Sequence, residues 1–170
     1  MMRIAIITML LVIVHIFEMT FFKSIQIGGV TPDFMLIIIV SFALLRGSKE
    51  GMLIGTIAGL LYDVTFGMFI GQHTAAYILI GYVCGKFNKN FYRENFIMPF
   101  FCTLFSNLFM SCSAMFIYVM RGKANLIFFL KALVIPEVIY TVTLSLVLYQ
   151  LIYLLNEKLE LREKRTRNIF

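Results

Sequence analysis

GMLIGTIAGLLYD, residues 51–63, decides the fold. Gly51, Gly55, Gly59 and Asp63 stand four apart, and the series continues to Gly67 and Gly71, in a stretch otherwise made mostly of Met, Leu, Ile, Ala and Phe. Positions four apart on an α-helix form a row inclined about 26° to the axis, and glycines along that row let a second backbone come close. The stretch therefore predicts a helix with a small-residue packing ridge that ends in one carboxylate. Gly81 and Gly85 repeat the spacing on the next apolar segment.

Working outward, the whole chain has the same character. Its 170 residues are 61% hydrophobic and 14% charged, where a soluble domain averages about 45–50% and about 25%. The composition predicts an all-α integral membrane protein, with one polytopic domain over 1–155 and a charged tail over 156–170. That leaves no length for a soluble catalytic domain. Cys84, Cys102 and Cys112 all lie in apolar runs and read as buried small hydrophobes, not as metal ligands or disulfide partners. The net charge of +6 resides in loops between apolar segments, which marks membrane topology and not a nucleic-acid surface. The basic start before residue 4 resembles a signal sequence, but the apolar run after it is longer than a usual signal core of about 7–15 residues and carries His15 and Glu18. It reads as a retained anchor.

Six apolar segments follow one another: 4–22, 32–45, 51–66, 73–87, 96–120 and 136–155. The second, third and fourth would reach only roughly 21–24 Å as helices, against a hydrocarbon core of about 30 Å. They must run on into their loops or sit in a thinned bilayer, unless two of them form a re-entrant pair. Proline fits the first turn of a helix, so Pro136 is expected to open the sixth helix, with 125–135 as a separate interfacial piece. Pro32 is expected to open the second, with Thr31 as its cap. Asp33 and Glu137 directly follow these prolines, where a helix dipole favours an acid.

Lys and Arg divide unevenly between alternate loops. Eleven of the fifteen, among them Arg46, Lys49, Lys86 and Lys89, fall on one side, and Lys23, Arg121, Lys123 and Lys131 fall on the other. The bias puts both termini in the cytoplasm, with Arg46 and Lys86 as topology markers. The tail continues as a charged helix in which Glu160 and Lys164 are spaced to pair.

With this topology an outer-face polar cluster forms from Glu18, Asp33, Asp63, His73 and Glu137. Asp63 continues the glycine ridge and so should face protein, not lipid. His15 and Glu18 share a helix face and are placed to bond each other or a neighbouring helix. Thr103, Asn107 and Ser111, and likewise Glu137, Thr141, Ser145 and Tyr149, form polar rows at the same four-residue spacing. Such rows act as interhelical glue, each bond being worth about 0.6 kcal/mol. Neither a phosphate-binding glycine loop nor a metal-spaced His or Cys cluster nor a serine-histidine arrangement is present, so neither enzyme activity nor a cofactor is expected.

Pro32-Asp33, Leu44-Leu45-Arg46-Gly47, Glu50-Gly51, Gly55, Gly59-Leu60-Leu61-Tyr62-Asp63, Gly67, Gly71, Gly81-Tyr82 and Gly85-Lys86, taken in order, resemble the rod shape-determining protein MreD family. The resemblance continues through Pro136 and Tyr140, although Thr141 stands where many relatives carry asparagine. It implies a bacterial plasma-membrane component of peptidoglycan elongation that maintains cell shape. Its partner would be the bitopic protein MreC, and through it the MreB filament, a RodA-type glycosyltransferase and a class B penicillin-binding transpeptidase. The family is also similar to the substrate-binding subunits of energy-coupling-factor vitamin transporters, which implies about six transmembrane helices and an outward-facing site. The leading expectation is thus a non-enzymatic scaffold whose glycine faces and outer acids bind partner chains. The alternative is a transporter subunit that holds a small vitamin-type molecule in the acid cluster.

Overall fold

The structure, a computed structural model, describes residues 2–22, 30–66, 71–90, 97–120, 130 and 134–167. Six α-helices follow among these residues: α1 (Met2–Phe17), α2 (Phe34–Arg46), α3 (Ser48–Phe66), α4 (Gln72–Lys86), α5 (Ile97–Met120) and α6 (Ile135–Arg167). A π-helical turn, Glu18–Phe22, extends α1, and a 3-10 turn, Phe87–Asn90, closes α4.

The centre of the molecule is α2. Every residue from Phe34 to Leu45 is buried, and α2 touches α1, α3, α4, α5 and α6. A helix that is apolar on all sides has no solvated face, and here each side has a helix against it. Sheathing explains its length. Thirteen residues rise only about 20 Å, well short of a bilayer core, but ends surrounded by protein need not reach water on their own. The third apolar segment also gains length, because α3 starts at Ser48 and not at residue 51.

The start of α2 differs from expectation. Asp33, not Thr31, is the N-cap: its backbone is extended and its carboxylate accepts from the Leu36 N–H at 2.8 Å. Pro32 therefore precedes the cap and does not occupy the first turn. At α6, by contrast, Pro136 does lie in the first turn, where its missing N–H costs nothing. Most of the piece expected over 125–135 lies outside the described residues.

Gly47, at φ 94°, ends α2 and donates to the Ala43 carbonyl at 2.8 Å, so that α3 folds back at once. The tightest packing in the molecule then forms between α3 and α4. A Cβ on Gly55 would stand 2.5 Å from the Tyr77 carbonyl oxygen, and one on Gly51 would stand 2.5 Å from that of Gly81. Gly59 meets the Thr74 backbone, Gly81 meets Gly51, and Gly85 meets Ser48. Each helix thus has glycine where the other's main chain approaches. Of the two uses the ridge allows, helix packing and partner binding, these contacts are the first, made within the chain. Gly71 plays a different part: it is the N-cap of α4 at φ 102°, with no atom near a would-be Cβ. Gly67 lies outside the described residues.

Two helices, over Ile97–Phe116 and Ile135–Leu159, are long and apolar enough to cross a membrane. They pack on each other and on α2, burying Thr103, Ser106, Asn107 and Ser111 of α5 and Thr141, Ser145 and Tyr149 of α6. The α6 helix runs unbroken past residue 155, and Asn156 is itself buried, accepting from the Arg46 Nε–H. The side chains of Glu160 and Lys164 are outside the described set. Cys84 and Cys102 are buried, whereas Cys112 is exposed and is no core residue. It occupies the outer face of α5, where a small thiol is as compatible with lipid as with protein.

Truncating the sheathed helix tests this architecture. Ile39→Ala, at a site with no exposure, should cost about 2–5 kcal/mol of stability in detergent. Val64→Ala, at a site 82% exposed, should leave the unfolding midpoint nearly unchanged.

A candidate site at the acidic pole

The antiparallel hairpin of α3 and α4 sorts the charges. Asp33, Asp63 and His73 lie at one end of α2, α3 and α4, while Arg46, Lys49 and Lys86 lie at the other. Glu18 and Glu137 join the acidic end through α1 and α6. The five residues of the outer cluster therefore share a pole, but they form two distinct sites.

The first site is closed. Asp63, 2% exposed, is the anchor for the start of α4. Its Oδ2 accepts from the Gly71 N–H at 2.9 Å, the Thr74 N–H at 3.0 Å and the Thr74 hydroxyl at 2.7 Å. Its Oδ1 accepts from the His73 N–H at 3.1 Å and lies 3.0 Å from His73 Nδ1. The first N–H groups of a helix have no partner within it, and a carboxylate there meets both those donors and the positive end of the dipole. So the acid at the end of the glycine ridge clamps the helix that the ridge packs against. His73 in turn stacks on Tyr62, with ring centroids 4.5 Å apart.

The second site is open. Glu18, Asp33 and Glu137 line a cavity of about 250 Å³ together with Val30, Thr31, Pro32, Tyr62 and Phe66. Glu18 Oε1 accepts from the Phe34 N–H at 2.9 Å, so α2 is capped twice, by its own Asp33 and by the end of α1. The other oxygen, Oε2, is buried and has no hydrogen-bond partner among the described residues. Asp33 ties three helices together: Oδ2 accepts from the Tyr77 hydroxyl of α4 at 2.9 Å, and the Asp33 N–H donates to Thr141 Oγ1 of α6 at 3.3 Å. His15 does not pair with Glu18; its Nε2 lies 2.9 Å from Thr65 Oγ1 on α3. Of the two options open to that pair, the neighbouring helix takes the histidine.

Tyr62, Thr74 and Tyr77 are the structural residues that spacing rules alone passed over. Tyr77 lies one helical turn after His73, on the same face, which was the available signal; in an apolar run a tyrosine reads as bulk. Among the described residues no three His, Cys, Asp or Glu side chains converge as metal ligands. Among the described residues the open cavity instead presents three carboxylates and is lined by no Lys or Arg. Such a wall suits a group larger than an ion, carrying positive charge or several N–H donors.

Removal of the clamp has a local signature. Asp63→Ala should destabilise the protein by about 2 kcal/mol or more. Amide hydrogen exchange at Gly71, His73 and Thr74 should rise sharply while the amides of α2 stay protected.

No curated protein and no solved structure matches the chain. The family model described as rod shape-determining protein MreD matches residues 1–159, which takes in α1 to α5, most of α6 and the Arg46–Asn156 contact that fastens α6 to α2. A match over nearly the whole chain, on a fold of apolar helices with its charges sorted to two poles, shows that the chain belongs to the rod shape-determining protein MreD family, membrane proteins of the cell-shape machinery.

Proposed function

We propose that the protein is a non-enzymatic scaffold of the peptidoglycan elongation complex, held in the bacterial plasma membrane by a six-span bundle with both termini in the cytoplasm. Its direct partner on this reading is an MreC-like bitopic protein, and through it the MreB filament, a RodA-type glycosyltransferase and a class B penicillin-binding transpeptidase. The observation that carries the proposal is the family match over residues 1–159. The sorting of Lys and Arg supports the orientation, since Arg46, Lys49 and Lys86 share the pole that would face the cytoplasm.

The contact surface on this reading is not the glycine seam, which α3 and α4 fill between them. It is the acid-lined cavity at the opposite pole, where Glu18, Asp33 and Glu137 are placed to receive a cationic side chain of the partner's juxtamembrane segment. Truncating one side of a desolvated charged contact typically costs 2–5 kcal/mol, which shows in complex lifetime. Glu18→Gln combined with Glu137→Gln should therefore strip the MreC-like protein from the purified complex at unchanged expression, and cells relying on the variant should lose rod shape. Normal co-purification would remove the cavity from the interface, and normal rods after depletion would remove the scaffold role.

The same cavity favours one other reading, a site for a small vitamin-type molecule as in energy-coupling-factor subunits. A ligand that binds only the folded state raises the unfolding midpoint by mass action. On the scaffold reading, no water-soluble vitamin should shift it.

A further inference from the structure

We propose that Cys84 and Cys102 are a reversible dithiol pair, a modification site at which a hydroperoxide links α4 to α5 through a disulfide. In sequence the two cysteines belong to different apolar segments, and each reads there as inert bulk. The fold puts their sulfurs side by side. The Cys84 and Cys102 thiols hydrogen-bond each other, and the Ser106 hydroxyl lies 3.6 Å from the Cys84 sulfur. A disulfide forms only where two Cβ atoms face each other across a short gap, and sulfurs that already touch need little backbone movement to meet that condition. Burial ordinarily keeps a thiol inert, and these side chains are only 3% and 9% exposed. Both nevertheless line a cavity of about 390 Å³, whose walls include the exposed side chains of Leu79, Val83, Phe101 and Phe105. A small uncharged oxidant therefore has a way to the sulfurs from the outer surface of the bundle.

A hydroperoxide is such an oxidant, and its reaction with two thiols balances. One sulfur attacks a peroxide oxygen, the O–O bond breaks, and water or an alcohol leaves with that thiol's proton, so that a sulfenic acid remains. The second sulfur then attacks the sulfenic sulfur; the S–S bond forms, and the hydroxyl leaves as water with the second thiol's proton. Two thiols are oxidised and one peroxide is reduced. Cys112 provides an internal contrast. It follows Cys102 on the same helix by ten positions, about 15 Å along the axis, and is exposed on the outer face, out of reach of Cys84. Because α4 and α5 touch only lightly while α5 and α6 pack together, a bridge at this point fastens the α3–α4 hairpin to the α5–α6 pair. On the orientation proposed above, Cys84 lies toward the cytoplasmic end of α4, just before Lys86, in a compartment that keeps thiols reduced. The dithiol is then the resting form and the bridge is the response, although the chemistry itself does not depend on that orientation.

The test treats full-length protein, reconstituted in lipid, with hydrogen peroxide or with cumene hydroperoxide, alkylates the remaining thiols and maps the peptides by mass spectrometry. The peptides carrying Cys84 and Cys102 should appear joined, two hydrogens lighter than their sum, at a rate that dilution of the protein does not change. Dithiothreitol should separate them again. Cys112→Ser should leave the yield of the bridge unchanged, whereas Cys102→Ser should abolish it and leave Cys84 as a sulfenic acid that dimedone captures. The parent protein carries the first readout, so a poorly folding variant does not hide the result. Faster bridging by cumene hydroperoxide assigns the oxidant to the bilayer and faster bridging by hydrogen peroxide assigns it to water; either supports the site. The proposal fails if Cys84 and Cys102 stay reduced while Cys112 is oxidised, if the link joins two molecules or includes Cys112, or if the two thiols stop at separate sulfenic acids.

Discussion

The approach of α3 to α4 along five glycines is the constraint from which the rest of the bundle follows. Where Gly51 meets Gly81 and Gly55 meets the Tyr77 carbonyl, a single methyl group would collide with main chain, not with a side chain that could turn away. In a bilayer, where exclusion of water drives no helix together, such close dispersion contact is a main attraction between helices. The seam runs from Gly85 against Ser48 to Gly59 against Thr74, and Asp63 closes its far end by binding the free N–H groups of α4. Packing and capping are thus one device: the ridge sets how close α4 lies, and the acid sets where it begins.

That rigid pair provides the wall against which α2 is buried. With α3 and α4 on one side and α1, α5 and α6 around the rest, a helix of thirteen residues can be almost wholly apolar and still shorter than a bilayer core. Its two ends are held by polar side chains, its own and those of its neighbours. Glu18 and Asp33 bind the first N–H groups, while Arg46 reaches Asn156 and Asn88 donates to the Leu44 carbonyl. Acids at one pole, and Arg46 with two asparagines at the other, therefore finish the same buried helix. At the acidic pole the capping demand uses Asp63 fully and Glu18 only by half, and that difference separates a structural carboxylate from a cavity wall.

Much of this was legible from residue order because spacing of four on a helix is a geometric statement about faces. The ridge and the inward placement of Asp63 followed from it, and the opening of α6 near Pro136 followed from proline's fit to a first helical turn. What the ridge packs against did not, since small residues announce a close neighbour without saying whose backbone it is. The division of the outer cluster into a saturated clamp and an open cavity was also hidden. It depends on donors at Gly71, His73 and Thr74 that a turn brings back to α3, and on a tyrosine whose hydroxyl finds Asp33 from another helix. Thr31 lost the capping role to Asp33 because both residues have suitable side chains, and only the position of the first helical turn chooses between them. Cys112 is outward for a similar reason: in a chain this apolar, hydrophobic surroundings in sequence do not distinguish core from lipid.

Membership of a cell-shape family fits a molecule that spends its glycines on internal rigidity and leaves polar and apolar openings at defined places on its surface. The most direct test of the central claim is the thermal unfolding of the Gly55→Val protein purified in detergent with no other membrane protein present. An internal seam predicts a midpoint lower by roughly 3–10 °C, since overpacking costs about 1–3 kcal/mol in a chain of this size. An unchanged midpoint, with damage appearing only when a partner chain is added, would show that the glycine face belongs to an interface between proteins and would contradict this account.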